Sequence, residues 1–338
     1  MKQYLTQIAE GQTLSQPDAE SAMHLLMRGE ASDIEIAAFL MGLRSRGETL
    51  EELIGFTKIM REYAVKVACN DLHAIDVCGT GGDRSGTFNV STTVSFVCAG
   101  AGVTVAKHGN RSVSSQSGSA DVLEKLGVKT DLGKEAVEKC LDEVGIAFLF
   151  APLFHPALKN VMPVRRALGV RTFFNILGPL CNPAGVKRQL IGAFSFEMAK
   201  TMANISWNLD CERVLCVHAQ DGLDEISTTS QTDYMITHES GHRNEGDIVP
   251  ERYGFTRATL EDLQGGDAIH NAEILRSILA GKEHGAKRDI VLLNAAHALL
   301  VSGKFDSVEA CFKAANESID SGAALGKLQH LIEASNRV

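Results

Sequence analysis

The chain has 338 residues and a formal net charge of −9, a length that suits two domains, or one large domain with a smaller attachment, and buries a core without covalent staples. The acidic balance opposes binding to nucleic acid, the N-terminal MKQYLTQIAEGQ lacks the apolar centre of a signal peptide, and no run approaches membrane-spanning length. Eight scattered cysteines without a C-x-x-C pair exclude an obvious zinc site or disulfide framework, so a reduced, cytoplasmic protein is expected.

Residues 1–66 read as all-helical. Ser32-Asp33-Ile34-Glu35 and Thr49-Leu50-Glu51-Glu52 have the form of capping boxes, each followed by apolar residues at helical spacing. Gly29 and Gly47 make plausible helix stops. The stripe Ile36, Phe39, Leu40 and Leu43 reads first as ordinary core, with a contact surface between subunits as the sharper alternative.

From His73 the pattern becomes β–α alternation, with strand-like runs ending near Cys78, Ala106, Phe150, Phe194 and His218. That implies an α/β fold with a largely parallel sheet covered on both faces. In DVCGTGGDRSGTFNVST, residues 76–92, a buried strand leads into Gly79, Gly81, Gly82 and Gly86 and then a helix start. Glycine lets backbone N–H groups approach an oxyanion closely, and the helix N-terminus adds unpaired donors. No Lys-Ser or Lys-Thr completes a P-loop, and Arg84 replaces the third glycine of a dinucleotide fingerprint. On the glycines alone, a loop that merely turns the chain stands equally open.

Residues 103–127 repeat the arrangement: a strand at 103–106, the loop Lys107-His108-Gly109-Asn110-Arg111 with several serines, and a helix from Ala120. Both loops would lie outside the carboxyl ends of neighbouring strands, where ligands gather. Two such loops suit a substrate carrying phosphates at two places; a polar surface loop is the plainer alternative. Residues 155–185 form two Pro-punctuated helical pieces made cationic by His155, Arg165, Arg166 and Arg171. These arginines are either solvated or available to pair with a substrate carboxylate. Asp221-Gly222-Leu223-Asp224-Glu225 follows another strand, and its acids suit either solvent or Mg²⁺. Beyond residue 235, THESGHRNEGD reads as a surface turn between strands. Gly265-Gly266-Asp267 introduces covering helices that run to the C-terminus, with His297 a packed core histidine.

Taken together, GTGGD with N-x-S-T, KHGNR-x-x-S-S-x-S-G-S-A-D-x-L-E, the run HPALKNVMPVRRALGVRTFFNILGPLCNPAG and DGLDEIS resemble the anthranilate phosphoribosyltransferase family. The resemblance covers nearly the whole chain, and its motifs are long and consecutive. It implies a small all-helical domain (1–66 with about 155–185; dimerisation and anthranilate side) joined by hinge segments to a larger α/β domain (about 73–154 and 186–338; phosphoribosyl pyrophosphate and Mg²⁺ side). The implied reaction moves the 5-phosphoribosyl group from phosphoribosyl pyrophosphate to the amine of anthranilate, releasing pyrophosphate, in tryptophan biosynthesis. An aromatic amine is neutral at pH 7, so no general acid or base is expected. Catalysis would rest on positioning and charge neutralisation, with Lys107 contributing.

The same resemblance assigns phosphoribosyl pyrophosphate to Gly79, Gly82, Asp83, Thr87, Asn89, Val90, Ser91, Thr92, Lys107, His108, Gly109, Asn110, Arg111, Ser112, Val113, Ser114, Ser115 and Ser119. Anthranilate falls to Gly79, Asn110 and Arg165, and Mg²⁺, two ions per subunit, to Ser91, Asp224 and Glu225. A homodimer through the N-terminal helices is implied, with neither nucleic acid nor membrane as partner. A pyrimidine nucleoside phosphorylase would share the fold but carries a different lysine loop. Against a non-catalytic nucleic-acid-binding relative stand the acidic charge and the retained DGLDE.

Overall fold

The computed structural model describes residues 1–81, 85–112 and 117–337. The chain begins with α1 (Lys2–Ala9), α2 (Gln16–Arg28), α3 (Asp33–Arg46) and α4 (Leu50–Glu62). Both expected capping boxes are formed: Ser32 accepts from the Glu35 N–H and Thr49 from the Glu52 N–H, each glutamate bonding back to its cap. Gly29 ends α2 in the left-handed conformation, φ 71°. Ile36, Phe39, Leu40 and Leu43 are at most 1% exposed within this single chain. They are core, and the alternative reading of that stripe as a subunit contact does not hold for these four residues. Phe39 and Phe56 pack against Phe173, which reaches in from the 155–185 segment and stacks on Phe56 at 4.4 Å.

The α/β part continues with β1 (Ile75–Gly79), α5 (Val90–Gly100), β2 (Val105–Gly109), α6 (Ser119–Leu126), α7 (Lys134–Val144) and β3 (Ile146–Phe150). The crossing segment holds α8 (Ala151–Phe154), a 3-10 turn (Pro156–Asn160), α9 (Met162–Leu168) and α10 (Phe174–Leu180). Then come β4 (Arg188–Gly192), α11 (Phe196–Asn208), β5 (Arg213–Ala219), β6 (Thr232–Thr237) and β7 (Arg243–Ile248). The covering helices α12 (Ala268–Leu279), α13 (Ala286–Ser302), α14 (Val308–Asp320) and α15 (Ala323–Asn336) complete the chain. None of the helices among the described residues is long and apolar enough to cross a membrane.

Among the described residues the sheet has seven strands in the order β3-β2-β1-β4-β5-β6-β7, parallel from β3 to β5 and antiparallel beyond. Strand order reverses between β1 and β4, which makes their carboxyl ends the crevice where a ligand fits an open α/β sheet. Two sequence expectations shift. The second strand runs to Gly109 rather than ending at Ala106, because Lys107 and His108 continue its pairing with β3. Part of THESGHRNEGD is strand β7 rather than turn; its outward-facing polar residues suit a sheet edge and hide the apolar alternation of a buried strand.

Candidate active site

Gly79 and Gly192 are register partners at the carboxyl ends of β1 and β4. The loop after β5 lies over them, and the Asp224 carboxylate accepts the Gly81 N–H at 2.7 Å. A Cβ on Gly79 would lie 2.6 Å from Asp224 Oδ2, so any larger residue here would push that acid aside as well as intrude on an approaching phosphate. The loop is held from within: Asp221 accepts from the Leu223 N–H at 3.2 Å and the Ser227 hydroxyl at 2.7 Å. From outside, Asn294 of α13 accepts the Ile226 N–H at 2.9 Å and donates to its carbonyl at 2.7 Å. Glu225 thereby reaches the amino end of α5 and accepts the Ser91 N–H at 3.2 Å. An anion at a helix N-terminus is stabilised by unpaired donors and the helix dipole.

The donor set here fits Mg²⁺, which is bound through one or two carboxylates, with water and substrate phosphates supplying the rest of its oxygens. Asp224 and Glu225 supply two carboxylates, and Glu225 brings one of them to the residue whose hydroxyl, Ser91 Oγ, is a further oxygen. Among the described residues no group of three or more His, Cys, Asp or Glu forms a ready-made cage.

Beneath this edge lie two buried groups of opposite charge whose proximity the sequence did not reveal. Asp76 and Lys107 are almost fully inaccessible. Asp76 accepts the His108 N–H at 3.2 Å and the Asn182 side-chain amide at 2.8 Å. The Lys107 ammonium donates to the Val77 carbonyl at 2.8 Å and the Ser91 hydroxyl at 3.3 Å. Burial pushes Lys107 down and Asp76 up, and each shift is opposed by the other's charge. Lys107 is therefore anchored in the sheet directly under Ser91. An acid inside the apolar strand AIDVC was the available signal for Asp76.

The second loop is fastened to the first. Thr92 donates to the Ser119 hydroxyl at 3.0 Å, and the Asn89 amide donates to the Ser117 carbonyl at 3.3 Å. Val90 is the first residue of α5, and Thr87 forms a β-bridge with Gln264. Arg111 pairs with Asp121 and Glu124 of α6, while Asp121 also accepts the Ser112 N–H at 3.1 Å and the Gly118 N–H at 2.8 Å. A Cβ on Gly118 would lie 2.3 Å from the Ser112 nitrogen, so the backbone of Asn110–Ser112 packs directly against it. Gly109 closes β2, and Asn110 beyond it is exposed. Gly82, Asp83, Val113, Ser114 and Ser115 lie outside the described residues.

Arg165 sits in the last turn of α9, its guanidinium 4.9 Å over the Phe174 ring and one N–H on the Met162 sulfur. Burial pushes it down to about 10. Among the described residues no carboxylate lies within ion-pair distance of it. Arg166 and Arg171 are exposed, and Arg171 covers Phe194 at 5.1 Å. The crossing segment meets β2 through His108 and His155, whose ring centres are 5.1 Å apart. His108 bonds the backbone of Gly178 and His155 that of Cys181, and burial holds both neutral, down to about 3 and about 4. The site thus has a cation on the helical side and acids, hydroxyls and backbone amides on the sheet side.

Comparison with known proteins shows the same two-part architecture. A protein from Salinibacter ruber called anthranilate phosphoribosyltransferase is 59% identical over 99% of this chain and 98% of its own. The chain belongs to the anthranilate phosphoribosyltransferase family. The sequence model of the glycosyl transferase family, helical bundle domain, matches residues 2–64, and that of the a/b domain of the same family matches residues 71–325. The anthranilate phosphoribosyltransferase of Thermus thermophilus superposes with a TM-score of 0.92 at 38% identity, covering 98% of this chain and 99% of the other. The Saccharomyces cerevisiae enzyme, solved with PRPP and Mg, superposes at 0.90 with 27% identity over 99% and 98%.

Proposed function

We propose that this chain transfers the 5-phosphoribosyl group of phosphoribosyl pyrophosphate to the amine of anthranilate, releasing pyrophosphate, as a step of tryptophan biosynthesis. The observation that carries the reading is the meeting of Asp224, Glu225 and the amide end of α5 at the β1/β4 crevice. The family relationship to enzymes of that name supports it.

The amine attacks the anomeric carbon as the bond to pyrophosphate breaks, so positive charge grows on the ribose and negative charge on the leaving group. The surplus proton on the nitrogen then leaves to solvent. The N–H groups of the first loop, the Ser91, Thr92 and Ser119 hydroxyls and the Lys107 ammonium hold the phosphates and ribose. Together they stabilise the departing charge without a proton-transferring residue. Arg165 and Asn110 hold anthranilate with its amine turned to the anomeric carbon. The desolvated guanidinium, short of a carboxylate partner among the described residues, is suited to the substrate's carboxylate. Mg²⁺, two ions per subunit, would be held by Ser91, Asp224 and Glu225 and would neutralise pyrophosphate charge.

Residues 1–66 with about 155–185 form the anthranilate side in this account, and the remainder the phosphoribosyl side. The protein acts in the cytoplasm, consistent with eight unpaired cysteines, and as a homodimer through the N-terminal helices, where Ile34 is 83% exposed. A Mg²⁺ titration of initial rate for wild type and Asp224→Asn/Glu225→Gln tests the metal assignment. Turnover in the variant should fall by orders of magnitude with little change in anthranilate KM. Matching curves and maximal rates would return both acids to a solvated loop.

A further inference from the structure

Asn89 is the N-cap residue of α5, yet its side chain makes no cap bond. Asparagine is among the preferred N-caps because its side-chain oxygen accepts an N–H from the first turn of its own helix. Here that oxygen is engaged elsewhere: it accepts the side-chain amide of Asn271 at 3.0 Å, while the Asn89 amide donates to Ser117. Asn271 lies in the first turn of α12, 3% exposed, and its own oxygen accepts the Gly266 N–H at 2.8 Å.

The turn before α12 is pinned to the first substrate loop. Gly265 donates to the Gly86 carbonyl at 2.9 Å, Phe88 to the Leu263 carbonyl at 3.4 Å, and the Gln264 amide to the Ser85 carbonyl at 3.2 Å. A Cβ on Gly265 would lie 2.6 Å from the Asn271 oxygen and 2.7 Å from the Phe88 nitrogen. Asn271 therefore meets Asn89 in one fixed geometry. We infer that Asn271 is a positioning residue for the phosphoribosyl substrate: it turns the Asn89 carboxamide away from α5 and keeps the Thr92 N–H, the first-turn donor taken by neither Phe88 nor Glu225, open to a substrate oxygen. Without it Asn89 caps its own helix, competes with the substrate for that N–H and releases Ser117 in the second loop. The inference rests on the phosphoribosyl reading of this crevice.

Asn271→Asp keeps the size and the acceptor for Gly266 but sets an acceptor against the Asn89 oxygen. Relative to wild type at pH 8, its KM for phosphoribosyl pyrophosphate should rise at least tenfold, with anthranilate KM within twofold. A buried carboxyl protonates more readily, and the protonated acid can donate to Asn89, so the KM ratio should narrow as pH falls to 6. Asn271→Ala should raise the same KM without narrowing. Calorimetric titration with phosphoribosyl pyrophosphate and Mg²⁺ reads the effect without turnover. Wild type that binds this substrate but consumes no anthranilate would defeat the transferase reading alone. Equal affinities of wild type and Asn271→Asp, or a lowered Tm with an unchanged KM, would overturn the role given to Asn271.

Discussion

Gly192 lies so close beneath Asp224 that a Cβ added to it would be 1.6 Å from the Asp224 carbonyl oxygen. Gly192 pairs in register with Gly79, so two glycines at adjacent strand ends form the floor on which the acidic loop rests. Neither the loop nor the strands can absorb a methyl group there without backbone movement.

Gly192→Ala should accordingly lift Asp224 and Glu225 away from Gly81 and Ser91. Overpacking of a close contact costs about 1–3 kcal/mol or more, so a lowered Tm is expected together with a raised Mg²⁺ requirement. Thermal unfolding and the rate at several Mg²⁺ concentrations check both. A variant with wild-type Tm and rate would show that the loop is not seated on this floor.

Arg165→Ala should raise the KM for anthranilate roughly ten- to a hundred-fold, the equivalent of losing a charge-assisted hydrogen bond of about 1.5–3 kcal/mol. The KM for phosphoribosyl pyrophosphate should stay within a few-fold. Steady-state kinetics with each substrate varied in turn separates the two. Equal changes in both constants would remove Arg165 from the anthranilate side.

Much of the architecture was legible because it depends on local chemistry. The capping boxes at Ser32 and Thr49 formed as their sequences required. The carboxyl end of strand β2 was read three residues short because a lysine inside a buried strand breaks the apolar pattern, and only the nearby Asp76 explains it. The roles of Asp76, Asn182, Gly118, Gly192 and Asn271 depend on contacts between distant segments, which periodicity does not encode. Gly192 closes a strand, RQLIG, whose sequence does not show what lies above its end, and Asn271 lies 182 positions from its partner Asn89.

The Asp76–Lys107 pair gives a stability prediction with a defined sign. Asp76→Asn leaves the Lys107 ammonium buried without the carboxylate charge that opposes its desolvation, so a lowered stability is expected. Adding Lys107→Met removes the stranded charge, so the double variant should be more stable than Asp76→Asn in urea unfolding while turnover remains lost. A double variant less stable than the single one would show that the two charges are not coupled.

Burial holds His108 down to about 3 and His155 and His297 to about 4, below the ordinary histidine value. The unfolded chain takes up these protons near pH 6.5 and the folded chain only near pH 3–4. Stability should thus be full above about pH 6.5 and fall with pH, by about 1.4 kcal/mol per histidine per pH unit, until the folded values are reached. His297, outside the site, allows a clean check: His297→Asn should make stability decline less steeply between pH 6.5 and 5. An unchanged slope would mean that His297 is protonated in the folded protein.

The transfer reaction itself is tested most directly by following anthranilate fluorescence and pyrophosphate release in the same reaction of the purified protein. One pyrophosphate should appear for each anthranilate consumed, and neither should change when phosphoribosyl pyrophosphate or Mg²⁺ is left out. Anthranilate fluorescence that persists with both present, or pyrophosphate released without loss of anthranilate, would contradict the assignment.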